Sequence, residues 1–303
     1  MSEALQLPII DLSSTDRISN SNSIRQACME HGFFYVVNHG VEEELIDKVF
    51  EHTSKFFSLP IEEKMNFALK NNRGYVPLYA GKADTSSSSA KGDCKEDLYF
   101  GPPADGLNLW PFEEDQPSWR STIETYHEKV LSAGNKLLSL VALALKLEED
   151  FFHKVDALNE SLLVLALTQY PGIYEIYGGS AHSDYGTLTL LMTNGVPGLQ
   201  VCRDKSKHPQ VWEDVPSIKG AFIVNIGDMM ERWTNCLFRS TLHRVLSPKQ
   251  DRYSVVFFMN PGKDCIVECL ESCCSESCPP RFPPIRCLDY FEERLRLSYA
   301  SKS

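Results

Sequence analysis

The pattern of apolar and polar positions divides the chain into a helical first half and a strand-rich second half. Apolar side chains recur at helical spacing over residues 24–31, 42–57, 61–65 and 119–147. The last of these patterns is too long and too apolar for a surface helix, so it predicts a helix that packs against a sheet. Short apolar runs predict strands at residues 7–12, 33–37 and 96–100.

From residue 162 onward, short runs rich in strand-forming side chains follow one another, separated by Gly, Pro, Asn and Asp. They lie at residues 163–169, 188–193, 199–202, 211–213, 221–225, 240–246, 253–259 and 265–268, and a final helix is predicted at 287–299. Such regular short strands are typical of a β-sandwich or jelly-roll barrel. We therefore predict an α+β fold in which a mainly helical region, residues 1–160, packs on a β core formed by residues 161–303, as one compact unit.

Composition narrows the class of protein. The 303 residues are 43% hydrophobic and 23% charged, as in an ordinary globular protein, and the net charge is −11. This acidity argues against nucleic acid or an anionic membrane as a partner. No run of about 18 apolar residues exists to span a bilayer, and the N-terminus lacks the pattern of a signal peptide. We expect a cytoplasmic monomer that binds a small molecule.

Six of the ten cysteines fall late in the chain, at positions 265, 269, 273, 274, 278 and 287. In a cytoplasmic protein they are expected to be reduced thiols rather than a disulfide framework. A zinc site is the alternative, but the spacing lacks paired C-x-x-C motifs and no His lies nearby.

Candidate metal chemistry begins with His182 and Asp184, two residues apart at the start of an apolar run. On one strand, side chains at this spacing point to the same face, so an imidazole and a carboxylate can converge. Two His and one carboxylate with open positions are typical of non-haem Fe(II) oxygenases. His243, on a later predicted strand, is the most plausible second His. A His-x-Asp pair alone is frequent by chance, so a structural role stays open.

A second candidate feature is the strand that contains Arg252, Ser254 and Phe258, which share one face by the two-residue period. A cation inside a barrel requires an anionic partner, because an unpaired buried charge costs several kcal/mol. A bound dicarboxylate would supply that partner through bidentate bonds. The alternative is an ion pair with a distant Asp or Glu.

Over nearly its whole length the chain resembles the plant-type 2-oxoglutarate- and Fe(II)-dependent dioxygenases, within the isopenicillin N synthase-like superfamily. The resemblance rests on ordered motifs at residues 7–12, 32–40, 57–60, 182–191, 198–201, 220–228, 240–245 and 252–254. It implies a double-stranded β-helix, or jelly-roll, core with flanking N-terminal and C-terminal helices. It also implies Fe(II), 2-oxoglutarate as cosubstrate and O2, with ascorbate as a supporting reductant.

Carried over by position, the resemblance implies specific roles for individual residues. His182, Asp184 and His243 would hold Fe(II) as the catalytic metal. Arg252, Ser254 and Tyr170 would bind 2-oxoglutarate, and Phe258 would face the substrate. Two positions depart from the family pattern: Thr168 stands where an Asn is frequent, and Cys236 follows Asn235 where a Gly is usual.

The irregular stretch at residues 71–90 and the C-terminal helix are expected to complete the substrate pocket, with Tyr75 as a further substrate contact. Trp233 and Met230 are candidates as well, although core packing is the more plausible role for both.

The sequence thus predicts a dioxygenase that oxidises, most plausibly by hydroxylation, a small metabolite or hormone and releases succinate and CO2. A related iron oxidase that does not use 2-oxoglutarate and a catalytically silent binding protein are alternatives. A zinc hydrolase with the same ligands is less favoured, because hydrolysis does not require Arg252.

Overall fold

The computed structural model describes residues 5–81, 92–112, 117–155, 162–173, 177–202 and 204–300. Its helices are α1 (Arg17–Glu30), α2 (Glu43–Phe57), α3 (Ile61–Lys64), α4 (Pro117–Ala144), α5 (Phe151–Lys154), α6 (Asp228–Trp233) and α7 (Cys287–Ala300). Its first strands are β1 (Ile9–Asp11), β2 (Phe33–Val37), β3 (Gly74–Val76), β4 (Glu96–Phe100), β5 (Val164–Tyr170), β6 (Tyr177–His182) and β7 (Leu188–Thr193). The later strands are β8 (Leu199–Cys202), β9 (Trp212–Asp214), β10 (Phe222–Ile226), β11 (His243–Leu246), β12 (Arg252–Met259), β13 (Ile266–Val267) and β14 (Ile285–Arg286).

Two sheets form the core of the fold. The larger sheet has eight strands in the order β1-β2-β10-β7-β12-β5-β4-β3, and the smaller has four in the order β6-β11-β8-β9. Strands from the N-terminal region therefore form both edges of the larger sheet, while its centre comes from the C-terminal region. This mixture of sheet and helices is the α+β jelly-roll arrangement predicted from the sequence.

Apolar side chains bury the two faces of the larger sheet differently. One cluster joins that sheet to the smaller one, for example through Phe33, Ile223 and Val245. A second and larger cluster joins its other face to the helices, with α4 contributing Val130, Leu137 and Val141. The long apolar pattern at residues 119–147 is thus explained: α4 is buried because it covers the sheet, as predicted.

The two-residue alternation of β12 assigns its side chains to these two faces. Val255, Phe257 and Met259 pack in the helix-side cluster. Arg252 and Ser254 face the other way and are each 1% exposed. The strand therefore brings an apolar face to the helices. Its other face, towards the space between the sheets, is mixed and carries Arg252 and Ser254 together with the apolar Phe258.

The sequence patterns missed or misplaced several elements. Helix α1 begins earlier than predicted, since Asp16 caps it by accepting a hydrogen bond from the Ser19 backbone N–H. Strand β11 begins only at His243, and strand β6 was not predicted at all. The reason for the missing β6 is its Gly178 and Gly179, which have low strand propensity. Gly178 is required by packing, because a Cβ there would lie 2.6 Å from Cδ1 of Tyr170.

The late cysteines also differ from expectation. Cys269 and Cys274 form a disulfide, so the prediction of reduced thiols was wrong for this pair. In the described part of the chain, the His182, Asp184 and His243 group is the one cluster with metal-binding geometry, and the cysteines form none. No described helix is both long enough and apolar enough to cross a membrane.

Candidate active site

His182, Asp184 and His243 lie together at one end of the space between the sheets. One potential ligand atom from each lies within 4.8 Å of the others. Oδ1 of Asp184 is 3.7 Å from Nε2 of His182 and 3.5 Å from Nε2 of His243. The two His residues are direct cross-strand partners on β6 and β11. Asp184 lies beyond the end of β6, so the sequence-based placement of the pair on one strand was wrong, although the convergence it predicted is present.

Backbone carbonyl groups fix the orientation of both imidazole rings. Nδ1 of His182 lies 2.7 Å from the Ser180 carbonyl oxygen, and Nδ1 of His243 lies 3.1 Å from that of Thr241. A ring that donates its Nδ1–H to a carbonyl presents an unprotonated Nε2 lone pair. Both Nε2 atoms point towards Oδ1 of Asp184, so three ligand atoms of suitable chemistry face one point.

Two residues outside the cluster hold the carboxylate of Asp184. Its Oδ2 accepts hydrogen bonds from Oγ1 of Thr189 at 2.5 Å and from Nδ2 of Asn225 at 2.8 Å. These partners are neighbours across β7 and β10. Sequence reasoning missed both residues, because nothing in a single sequence shows that two strands distant along the chain meet at this carboxylate.

Burial and mutual interaction shift the pKa values of the three groups. Burial, with the neighbouring His243, lowers the pKa of His182 to about 4. Burial alone would raise the pKa of Asp184 and lower that of His243, but their attraction outweighs it, so the Asp184 pKa lies below its usual range and the His243 pKa above. The carboxylate of Asp184 and the neutral imidazole of His182 are thus available to a cation, and a bound cation would displace the proton that Asp184 favours on His243. Together the three groups are the two-His, one-carboxylate set that suits Fe(II).

Arg252, Ser254 and Tyr170 form a second polar group between the sheets. Arg252 is the direct partner of Tyr170 across β12 and β5, and its guanidinium lies 4.8 Å from the centre of the Tyr170 ring. Its Nε donates to the Val196 carbonyl at 3.2 Å. Its Nη1 and the Ser254 hydroxyl are buried and have no partner among the described residues. Two buried donors without partners fit the carboxylate of a bound anion.

The two departures from the family pattern have local explanations. The Thr168 hydroxyl donates to Oδ1 of Asp97 at 2.8 Å, so it is already engaged within the protein. Asn235 and Cys236 both adopt left-handed backbone conformations, at φ values of 52° and 67°. The turn that a Gly would adopt easily is therefore made here by two residues with side chains.

A cavity of about 490 Å³ opens onto the His182 and Asp184 side chains. Its walls include Phe258, residues 71–73 and, from α7, Phe291 and Leu295. Trp233 and Met230 are not in these walls; both are buried in the core, in agreement with the more plausible role predicted for them. The serine-rich part of the predicted substrate loop, residues 85–89, lies outside the described residues.

The prediction that Tyr75 contacts the substrate was wrong. Tyr75 pairs with Leu98 across β3 and β4, which places it on the helix side of the sheet. It is 1% exposed, and its hydroxyl donates to Oε2 of Glu96 at 2.5 Å. The two-residue period decides this outcome, because Tyr99, which pairs with the adjacent Gly74, lies in the cavity wall instead.

The sequence matches two known families. Residues 7–122 match the family described as non-haem dioxygenase in morphine synthesis N-terminal, and residues 159–261 match the 2OG-Fe(II) oxygenase superfamily. These two regions together span well over half of the chain.

Individual relatives agree with this assignment. The chain is 40% identical over 306 residues to kihadalactone A synthase LFS of Citrus sinensis, covering 96% of this chain and 91% of that protein. It is 37% identical over 316 residues to azadirone synthase LFS of Melia azedarach, covering 97% and 93%. The solved structure of JOX2 in complex with 2OG, Fe and JA superposes with a TM-score of 0.83 at 30% identity, covering 98% of this chain and 86% of that one.

These matches confirm the resemblance inferred from the motifs. Members of this superfamily use Fe(II), 2-oxoglutarate and O2 and bind small-molecule substrates, and the donor set of the present site suits such a metal. The chain therefore belongs to the 2OG-Fe(II) oxygenase superfamily, as a dioxygenase that acts on small metabolites.

Proposed function

We propose that this protein hydroxylates a small organic molecule, with 2-oxoglutarate as the cosubstrate. In this proposal His182, Asp184 and His243 hold Fe(II). Arg252, Ser254 and Tyr170 bind the distal carboxylate of 2-oxoglutarate. The observation that carries the proposal is the pair of buried donors, Nη1 of Arg252 and Oγ of Ser254, that lack partners among the described residues.

The protein's contribution is to bind, orient and exclude water. When bound, Fe(II) and 2-oxoglutarate supply the oxidation of a substrate C–H bond by O2, with release of succinate and CO2. Arg252 orients the cosubstrate through charge-assisted bonds, and stacking on Tyr170 restricts the guanidinium to one plane. Thr189 and Asn225 hold one oxygen of Asp184, which leaves the other for the metal. Apolar walls that include Phe258 keep water from the reacting C–H bond.

The substrate is proposed to be a specialised metabolite of moderate size. Two relatives are synthases named for kihadalactone A and azadirone, which supports this class without identifying the compound. The cavity volume of about 490 Å³ lies in the range of sites that bind drug-sized ligands. All residues named for the reaction belong to one chain, so the proposal requires no second subunit.

The test is succinate formation by the purified protein with Fe(II), in the presence and absence of 2-oxoglutarate and of candidate metabolites. His182→Ala should abolish succinate formation, because it removes a metal ligand. His153→Ala is the matched control, since His153 is exposed on α5. Iron-dependent substrate oxidation without succinate would contradict the proposal and favour an oxidase that does not use 2-oxoglutarate. Unchanged activity of His182→Ala would show that the site lies elsewhere.

A further inference from the structure

The cavity wall contains an ion pair that the proposed reaction does not use. Arg73, just before β3, lies 3.2 Å from Oδ2 of Asp105 through its Nη2. Arg73 is 6% exposed, and the Asp105 side chain is 25% exposed. Both residues line the same cavity as His182 and Asp184. A buried ion pair adds little to the stability of a fold, because the cost of desolvating both charges offsets much of their attraction. The position of this pair in the substrate cavity therefore requires another explanation.

The surroundings of the pair are mainly apolar. Described side chains in the same wall include Leu69, Leu107, Val164, Phe258, Phe291 and Leu295. Apart from the metal-binding group, Arg73 and Asp105 are the only charged side chains among the described residues that line the cavity. A ligand that fills the cavity therefore meets a mainly apolar surface with some uncharged polar groups, such as Asn71, Asn72 and Asn260, and one localised pair of opposite charges outside the metal-binding group.

Neighbouring residues hold the ion pair in one arrangement. The Arg73 guanidinium lies against Gly101, where a Cβ would come within 2.0 Å of three of its atoms. Asn108 holds this segment by accepting from the Gly101 N–H at 2.8 Å and donating to its carbonyl at 3.1 Å. Oδ1 of Asp105 accepts from the Leu107 N–H at 2.9 Å. The pair is thus preorganised, which lowers the entropic cost of binding a ligand.

The positive charge of Arg73 and the negative charge of Asp105 balance each other within the cavity wall. His127 lies close enough to Arg73 to feel its charge, and burial, helped by Arg73, lowers the pKa of His127 to about 4. His127 is therefore neutral near pH 7 and adds no charge. A ligand carboxylate at this contact would be attracted by Arg73 and repelled by Asp105, and it would lose its hydration without net compensation. A hydroxyl group can accept from Arg73 and donate to Asp105.

We propose that Arg73 and Asp105 are specificity-determining residues that select uncharged, mainly apolar substrates carrying a hydroxyl group. The inference rests on the proposed function only for the identity of this cavity as the substrate site. It assigns a substrate class, and it makes Asp105 the residue that excludes carboxylates.

The experiment compares pairs of probes that share a carbon skeleton, octanol with octanoate and abietinol with abietate. Their binding to the Fe(II)- and 2-oxoglutarate-loaded protein is measured by calorimetry without oxygen, so that no turnover occurs. The alcohol should bind about tenfold or more tightly than the acid, as expected for hydrogen bonds to charged groups. In Asp105→Asn the preference should reverse, because the charge of Arg73 is then uncompensated.

Glu149→Gln is the matched control, since Glu149 is also an acid bonded to an arginine, Arg17, but is half-exposed and outside the cavity wall. It should keep the preference for alcohols. Arg73→Gln gives a second measurement that leaves Asp105 in place, and it should weaken binding of the alcohols about tenfold or more.

An unaltered preference in Asp105→Asn would overturn the inference, as would unchanged alcohol binding in Arg73→Gln. Tighter binding of the acids, or no binding of either class, by the unmodified protein would overturn it too. Succinate formed from 2-oxoglutarate with candidate metabolites, and lost in His182→Ala, reports separately on the proposed function. A protein that forms succinate but shows no charge preference contradicts the inference alone. Charge selectivity without any succinate contradicts the proposed function alone.

Discussion

Asp184 divides its two carboxylate oxygens between two tasks. Oδ1 faces the two imidazoles, and Oδ2 is held by Thr189 and Asn225. The sequence identified the carboxylate through its spacing from His182, whereas the two residues that orient it became visible only in the folded chain. An oriented carboxylate binds a metal better because less freedom is lost on coordination.

Thr189→Val should weaken Fe(II) binding about 10- to 100-fold, because it removes one bond to Oδ2 while keeping the side-chain shape. The measurement is Fe(II) affinity by anaerobic titration. Thr53→Val is the control: Thr53 is also fully buried, and its hydroxyl donates to the Val49 carbonyl in α2, far along the chain from the metal ligands. Equal Fe(II) affinity in the Thr189 variant and the unmodified protein would contradict this role.

Arg252→Gln should raise the dissociation constant of 2-oxoglutarate by about 30-fold or more, since losing one partner of a buried charged pair costs about 2–5 kcal/mol. Binding is measured by calorimetry with Fe(II) present and oxygen absent. Arg244→Gln is the control, because its guanidinium also lies over an aromatic ring, Trp212 at 4.0 Å, but it is only partly buried on the smaller sheet. A change of less than threefold for Arg252→Gln would place the cosubstrate elsewhere.

At the scale of elements, the short helix α6 fixes the turn that contains Asp184. The Asp228 N–H donates to the Asp184 carbonyl at 2.8 Å, and the Gly227 N–H donates to that of Thr187 at 3.0 Å. Gly227 and Gly186 approach so closely that a Cβ at Gly227 would lie 2.3 Å from the Gly186 carbonyl oxygen. The sequence motif contained these residues, but α6 itself was not predicted, because six residues are too few for a clear periodicity.

Gly227→Ala should therefore lower the free energy of unfolding by about 1–3 kcal/mol, since backbone atoms must move to accommodate the methyl group. Urea unfolding of the metal-free protein measures the change, and Fe(II) affinity should fall with it. In Gly81→Ala the stability should change little, because a Cβ there meets no atom within 4 Å. Equal stability of the two variants would show that the turn tolerates the added methyl group.

At the scale of the whole molecule, the larger sheet combines strands from the N-terminal and C-terminal regions of the chain. The outer strands β1, β2, β3 and β4 come from the N-terminal region, and α4 covers the face of the sheet opposite the active site. Buried polar groups in this helix layer link the stability of the fold to pH. His127 of α4 is 3% exposed and packs edge-on against Phe257 of β12.

Because burial lowers the pKa of His127 from its ordinary value of 6.5 to about 4, the unfolded chain binds a proton at this residue before the folded chain does. The contribution of His127 to the free energy of unfolding is fully present above pH 6.5. It declines by about 1.4 kcal/mol per pH unit as the pH falls towards 4. In His127→Gln this contribution should be absent, so the stability difference between the two proteins should shrink on acidification.

Urea unfolding at pH 7.5, 6 and 5 measures this difference. The other histidines with lowered pKa values, His39, His52 and His182, are present in both proteins, and their effects cancel. A stability difference that stays constant with pH would mean that His127 is protonated equally in the folded and unfolded chains.

The sequence by itself determined the strand-rich core, the long buried helix and the residue types of the metal-binding group, because periodicity and spacing are local properties of the chain. It also determined which side chains of β12 share a face. Only the tertiary structure decided the register between strands that lie far apart in the sequence. That register brings Thr189 and Asn225 to Asp184, places Tyr75 behind the sheet rather than in the cavity, and brings Arg73 and Asp105 together in its wall. Each of these outcomes depends on contacts between distant segments, which no local pattern specifies.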